Sequence, residues 1–272
     1  MNAKKLLSLI LALVMMLSVG MLASCDSGNK SGNDATDTAA STDGSAADEG
    51  EAKKTLVMAT NATFPPYEYY DGESIVGIDA EIAQAIADKL GMELKIEDME
   101  FNSIISYVNS HDNAFGMAGM TVTPDRQESV DFTTSYAKGI QSVIVAEDSD
   151  IKTLDDLSGK KIGVQLTTTG DIYASDEFGS DYVVQYNKAT DCVLGLKNGD
   201  VDAVIIDNAP AQVFVEENDG LKLLDTDYAD EDYAIAVKKG DTELLNKLDK
   251  AITELIEDGT VQQIVDKYIP SK

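Results

Sequence analysis

This chain has no tryptophan, a single histidine, a single arginine and only two cysteines. The lone histidine, His111, sits in the polar stretch "NSHDN". With no HExxH pattern and no Cys/His cluster, zinc chemistry and Cys/His nucleophiles lack their parts. GxSxG and the phosphate-cradling GxxxxGK[ST] are missing too, so neither a serine-hydrolase elbow nor a nucleotide loop is present. Positive charge is scarce: 21 basic residues face 49 acidic ones, a net charge of −28, and the basic residues form nothing denser than pairs such as Lys160-Lys161. Nucleic-acid binding needs a positive footprint, so that partner class is excluded, and the acidity fits a solubilised, surface-exposed protein. Cys192 falls on the apolar side of a predicted helix in "ATDCVLGLKNG" and reads as a small core residue. No cofactor and no metal is expected.

Long apolar runs are missing as well, with one exception. Lys4 and Lys5 precede an unbroken apolar segment from Leu6 to Leu22 that ends in "LASC". A charged start, an apolar centre and small residues at the end form a secretory signal. With Leu22, Ala23 and Ser24 before Cys25, residues 1–24 resemble a bacterial lipoprotein signal, which implies a lipid on Cys25 after cleavage. The alternative, an uncleaved anchor, is at the short limit for a spanning helix. Cys192 is then the one remaining free thiol, and no internal disulfide can form.

Residues 25–52 carry Ser, Gly, Asn, Asp, Thr and Ala and no large apolar side chain. Such a segment cannot bury a core and reads as a flexible acidic tether. From Thr55 onward, short apolar strands alternate with helical periodicity. "TLVMAT" is a strand, and "DAEIAQAIADKLG" places Ile82, Ile86 and Leu90 on one helical face, with Asp79 expected at the N-cap and Gly91 at the stop. Further on, "KKIGVQ", "YVVQY", "DAVIID" and "AIAV" are strands separated by helical stretches. This alternation predicts an α/β fold with mostly parallel sheets flanked by helices. A weak internal echo between "SIISYVNSHDNAFGMAG" and "DCVLGLKNGDVDAVIID" fits two lobes of similar topology, although unrelated helix–strand units would echo as well.

In open α/β sheets, ligands sit beyond the carboxyl ends of strands. Arg126, the only arginine among many lysines, lies just past such a strand in "AGMTVTPDR". Thr123 and Pro124 form a helix start, which puts Arg126 in the first turn, where a cation opposes the helix dipole unless an anion is near. Its rigid fork can hold a carboxylate in a bidentate grip, as lysine cannot. The alternative is an ordinary surface pair with Asp125, Glu128 or Asp131. Gly119 lets backbone approach a ligand, and Thr121 adds a hydroxyl. Thr168 and Thr169 in "LTTTGD" offer hydroxyls and free backbone N–H groups at a helix start, or act merely as caps. Asp207 follows an apolar strand and can either meet an ammonium or cap the next helix. Phe64 in "NATFPPYEYY" and Phe101 in "MEFNS" can line a pocket or pack beneath their loops.

Taken together in this order, "FPPYEYYDGESIVGIDAEIAQAIADKLG", "AGMTVTPDRQESVDFTTSY", "LSGKKIGVQLTTTGD", "NGDVDAVIIDN" and "EDGTVQQIVDKYI" resemble the polar amino-acid family of extracellular solute-binding proteins, the receptors of ABC importers. The resemblance covers about residues 53–270 and implies a periplasmic-binding-protein-like fold. Its first lobe comprises residues 53–139 and 233–272, its second 140–232, joined by a two-strand hinge. It further implies a free amino acid as ligand, ABC permease subunits as partners, membrane attachment through Cys25, and a monomer on the outer face of the bacterial cytoplasmic membrane. By motif position, Arg126 and the backbone N–H groups of Thr121 and Thr169 would hold the α-carboxylate. Asp207, the Thr121 hydroxyl and the Gly119 carbonyl would hold the α-ammonium, and Phe64 and Phe101 would flank the side chain. Two departures stand out: Thr167 replaces the glycine of a "GTT" loop, and Asn61 replaces an acid found in several members. With Gln165 also neutral, a neutral polar or aromatic amino acid is favoured. An enzyme on the same fold, dehydratase-like and using Glu68 or Glu177 as a general acid, and a surface adhesin or sensor sharing the pocket, are the competing readings.

Overall fold

The computed structural model describes residues 54–225 and 228–270. The leader, Cys25 and the whole tether lie outside the described residues. Among those described, no helix is long and apolar enough to cross a membrane.

The chain opens with β1 (Thr55–Thr60), then a small meander of β2 (Thr63–Phe64), β3 (Glu68–Asp71) and β4 (Ser74–Val76). There follow α1 (Ile78–Leu90), β5 (Glu93–Asp98), α2 (Ile104–Ser110), β6 (Ala114–Gly116), α3 (Pro124–Ser129) and β7 (Val130–Phe132). The middle of the chain builds β8 (Ala137–Ala146), β9 (Ile162–Gln165), α4 (Thr169–Phe178), β10 (Val183–Tyr186), α5 (Ala189–Asn198) and β11 (Ala203–Asp207). It continues through α6 (Asn208–Glu217), β12 (Leu221–Leu223) and β13 (Ala229–Tyr233), and the chain closes with β14 (Ala236–Lys238), α7 (Thr242–Glu257) and α8 (Thr260–Tyr268).

Two main sheets result, in the order β5-β1-β6-β14-β7 and β10-β9-β11-β8-β12, with β13 pairing β8. The β1–β5, β1–β6, β9–β10 and β9–β11 pairs are parallel, as the alternation predicts. Strands β8 and β14 instead run antiparallel to their neighbours. Both adjoin the places where the chain passes between the sheets, after Phe132 and again after Tyr233, and direction there is dictated by the route. The sheets of this α/β fold are therefore mixed, with five antiparallel strand pairs against four parallel ones, where the sequence predicts mostly parallel sheets. Ile82 and Ile86 of α1 and Leu248 and Ile252 of α7 are fully buried; each such side chain contributes about 1.5–3 kcal/mol by leaving water. Cys192 is buried on α5, and burial pushes its thiol up to about 12, as befits an inert core residue.

One local expectation is corrected. Gly77, not Asp79, is the N-cap of α1, and Gly91 ends it in the left-handed conformation. The first N–H groups of α1 are met by loop carbonyls, Ile78 N–H by Pro66 at 3.0 Å and Asp79 N–H by Tyr67 at 2.9 Å. The Asp79 side chain is thereby free to turn inward, with consequences described below.

Candidate functional site

The ten ligand-contact residues singled out from the sequence line one narrow cavity, joined by Ala118 and Glu68. The fold explains the convergence. Asn61 directly follows β1, and Gly119 and Thr121 follow β6, all beyond carboxyl ends in the first sheet; Gln165 ends β9 and Asp207 ends β11 in the second. Loops and helix starts beyond these ends supply the rest.

Thr123 caps α3, its hydroxyl accepting from Arg126 N–H at 3.2 Å. This fixes Arg126 in the first turn, 8% exposed, with its guanidinium carbon 5.2 Å from the centre of the Phe101 ring. The guanidinium donates through Nη1 to the Thr121 carbonyl at 2.8 Å and through Nη2 to the Thr167 carbonyl at 3.1 Å. None of its surface-pair alternatives forms: among the described residues Arg126 makes no salt bridge. A guanidinium has five donors, so two are spent on carbonyls and the remaining three have capacity for a carboxylate.

Thr168 is spent on capping α4. Its hydroxyl accepts from Asp171 N–H at 3.3 Å and donates to the Gln165 carbonyl at 2.8 Å. Thr169 opens that helix and is buried, with its hydroxyl toward Gln141. Thr167 occupies the left-handed region at φ 66°, a conformation costly for a β-branched residue. Arg126 grips the carbonyl of this same residue.

Asp207 does not act as a side-chain cap: it is the N-cap residue of α6 yet makes no side-chain cap bond. Its carboxylate instead borders the cavity and accepts from the Tyr233 hydroxyl through Oδ1. Burial first, and then the nearby charge of Glu231, push its pKa up to about 7.

Glu68, read from the sequence as a candidate general acid of the competing enzyme reading, and Asp79, read as a helix cap, form a second acidic centre whose pairing the sequence does not show. Glu68 is 1% exposed and Asp79 is fully buried. The two carboxyls act on each other, and Glu68 Oε2 and Asp79 Oδ1 are buried without a hydrogen-bond partner. Burial, then Asp79, raises Glu68 well above the usual carboxyl range; burial lifts Asp79 to about 6 against bonds that favour its charge. Asp79 Oδ2 accepts from Gly119 N–H at 2.9 Å and the Tyr136 hydroxyl at 2.8 Å, pinning the loop that presents Gly119 to the cavity. That loop has no room to spare: a Cβ on Gly119, whose φ is 51°, would lie 2.7 Å from the Phe64 ring. No local pattern reveals this arrangement, because Asp79 and Gly119 are 40 positions apart.

Asn61 and Gln165 meet across the cavity, Gln165 Nε2 donating to Asn61 Oδ1 at 2.9 Å and to the Asn187 carbonyl at 3.0 Å. Asn61 Nδ2 is spent on the Met99 carbonyl at 2.8 Å. Like the bond from Arg126 to Thr167, the amide pair ties the loops of the first sheet to those of the second. His111 lies apart on an exposed turn, stacked on Tyr107.

Comparison with known proteins gives a consistent result. The model of bacterial extracellular solute-binding proteins, family 3, matches residues 56–271. The arginine-binding extracellular protein ArtP of Bacillus subtilis (strain 168) is 36% identical over 226 residues, which cover 79% of this chain and 86% of ArtP. The glutamine-binding protein GlnH of the same organism is 30% identical over 270 residues, covering 98% of this chain and 97% of GlnH. Among solved structures, an ancestral arginine-binding protein bound to glutamine superimposes with a TM-score of 0.77 at 38% identity, covering 81% of this chain and 100% of that one. The arginine-, lysine-, histidine-binding protein ArtJ of Geobacillus stearothermophilus gives a TM-score of 0.76 at 31% identity, covering 80% and 96%.

Proposed function

The chain belongs to family 3 of the bacterial extracellular solute-binding proteins, and from that premise we propose that it captures one free amino acid in the cavity around Arg126 and delivers it to the permease subunits of an ABC importer. The observation that carries this reading is Arg126 itself, a buried cation whose hydrogen bonds reach only carbonyls. A buried cation with no carboxylate bonded to its fork is costly, and a ligand carboxylate reduces that cost. In this reading Arg126 and the N–H groups of Thr121 and Thr169 take the α-carboxylate. Asp207, the Thr121 hydroxyl and the Gly119 carbonyl take the α-ammonium, and Phe64 and Phe101 enclose the side chain.

The two sheets then serve as two lobes, residues 53–139 with 233–272 and residues 140–232. They hinge where the chain crosses between the sheets, beside the paired β8 and β13. The ligand favours closure because it touches both lobes at once. The lipid on Cys25 and the acidic tether keep the receptor on the outer face of the membrane. Replacing Cys25 by serine is expected to release the protein or block its processing, read by membrane fractionation; normal processing and retention would contradict the anchor.

For the ligand, the amide pair of Asn61 and Gln165 supports a neutral polar side chain, and the two phenylalanines support a planar one. Glu68 favours a second reading, a planar cationic side chain whose charge favours ionisation of this buried carboxyl, the proton leaving to water. The names of relatives fit both, since they include arginine and glutamine binders. A thermal-shift screen of the tether-free domain against the twenty amino acids, followed by calorimetry, tests both readings. A ligand at 100 times its Kd adds about 2.7 kcal/mol of stability. The neutral reading expects glutamine or an aromatic amino acid to bind tightest, with Asn61→Asp moving preference toward arginine. Arginine binding the unaltered domain tenfold tighter than any neutral amino acid would establish the cationic reading instead.

A further inference from the structure

Glu231 does not border the cavity, and neither composition nor spacing sets it apart in "DYADEDYAIAV". It lies on β13 opposite Gly139 of β8, beside the crossing between the two sheets, and is 4% exposed. Its Oε2 accepts from the Thr121 hydroxyl at 2.9 Å and from the Gln141 amide at 3.1 Å. Thr121 belongs to the loop after β6 in the first sheet, whereas Gln141 lies on β8 in the second. One buried carboxylate thus bonds both sides of the cleft from behind. Its other oxygen, Oε1, and Gln141 Oε1 are buried without a hydrogen-bond partner.

The chemistry of the hydroxyl gives this arrangement a consequence. A threonine hydroxyl has one proton to donate and two lone pairs to offer. Because Thr121 gives its proton to Glu231, only lone pairs remain for the cavity, which is the orientation an incoming ammonium requires. We propose that Glu231 is a positioning residue of the ammonium subsite, holding the Thr121 hydroxyl as an acceptor and adding a second negative charge behind Asp207. This inference rests on the amino-acid reading above.

Its charge also reaches Asp207. The titratable groups facing Asp207 are Glu231, Arg126, Glu68, Tyr67, Tyr173 and Tyr233, the last donating its hydroxyl to Oδ1. Of the carboxylates, Glu231 acts most strongly, opposing ionisation of Asp207, whose pKa lies at about 7. Below that pH Asp207 holds a proton and cannot pair with an ammonium, so affinity falls as pH drops through about 7. Removing the Glu231 charge lets Asp207 ionise at lower pH, and the affinity loss moves in the acid direction with it.

The test is calorimetry with glutamine and with arginine as probes, from pH 5 to pH 8.5, on the wild-type domain and three variants. Glu231→Gln is expected to weaken the bound probe about tenfold at pH 8 and to move the midpoint of the pH dependence down by about one unit. Glu231→Asp keeps the charge but falls a methylene short of Thr121, so it should weaken binding and leave the midpoint in place. In a Thr121→Val background, Glu231→Gln should cost less than in the wild type, because the hydroxyl it positions is gone and only its charge behind Asp207 is lost. Uniform weakening by Glu231→Gln with no shift in midpoint would assign the residue a merely structural role and overturn the inference. So would full additivity with Thr121→Val. A wild-type domain that binds neither probe nor any other amino acid would instead remove the receptor reading, and this inference with it.

Discussion

Arg126→Ala is expected to weaken every amino-acid ligand by about 30-fold to a few thousand-fold. The guanidinium is buried over the Phe101 ring, and its bonds to the Thr121 and Thr167 carbonyls set its plane before any ligand arrives. A ligand carboxylate that loses this partner stays buried and unpaired, at a cost of about 2–5 kcal/mol, and each 1.4 kcal/mol is about a factor of ten. Arg126→Lys should fall between, since it keeps the charge and loses the fork. Both losses should be similar for all ligands, because the carboxylate is common to all of them. Asn61→Asp differs in kind, for it should reorder ligands without weakening them uniformly. Calorimetry over a panel of amino acids separates the two patterns. Near-wild-type affinity in Arg126→Ala would return this arginine to an ordinary structural role.

Gly77→Ala should cost the domain about 4 kcal/mol or more in stability, near the upper end of single substitutions. Gly77 has φ 123° and ψ −178°, a region open to glycine almost alone. A Cβ there would lie 2.2 Å from the Tyr67 carbonyl oxygen and 2.7 Å from that of Pro66. Those are the two carbonyls that satisfy the first N–H groups of α1, so relieving the clash strips the helix start. The displaced loop also carries Phe64 and Glu68 to the cavity wall. Thermal denaturation of the tether-free domain should show Tm lowered by about 8–16 °C, and protein still folded at lower temperature should bind its ligand more weakly. A Tm within about 2 °C of wild type would mean that the loop yields without loss.

These residues also mark how far the sequence could be read. Arg126 was legible because it is a singular residue type at a Thr-Pro helix start, and Asp207 because it ends an unmistakable apolar strand. In both cases the signal is local, and the structure brings the two residues to one cavity as strand ends require. Asp79 was misjudged as a cap because a carboxylate at a helix start is ordinary. Its inward turn depends on Gly77, on carbonyls from an earlier loop, and on Gly119 far along the chain. Glu231 was invisible for the same reason: its partner Thr121 is 110 positions away, and its own stretch is crowded with acids. Strand direction was likewise hidden, since β8 has a strand composition whichever way its neighbours run. Elements and strand-end residues are written in short patterns, whereas buried polar networks are written only in the packing.

The most direct test of the account compares three forms of one ligand by calorimetry on the wild-type, tether-free domain. These are the amino acid that gives the largest thermal shift, its α-carboxamide, and its decarboxylated amine. If Arg126 grips the carboxylate while Asp207 and Thr121 grip the ammonium, the amino acid binds one to one and both derivatives bind at least about 30-fold more weakly, the loss expected of an unpaired Arg126. Equal affinity for the amino acid and its carboxamide would contradict the account at its centre.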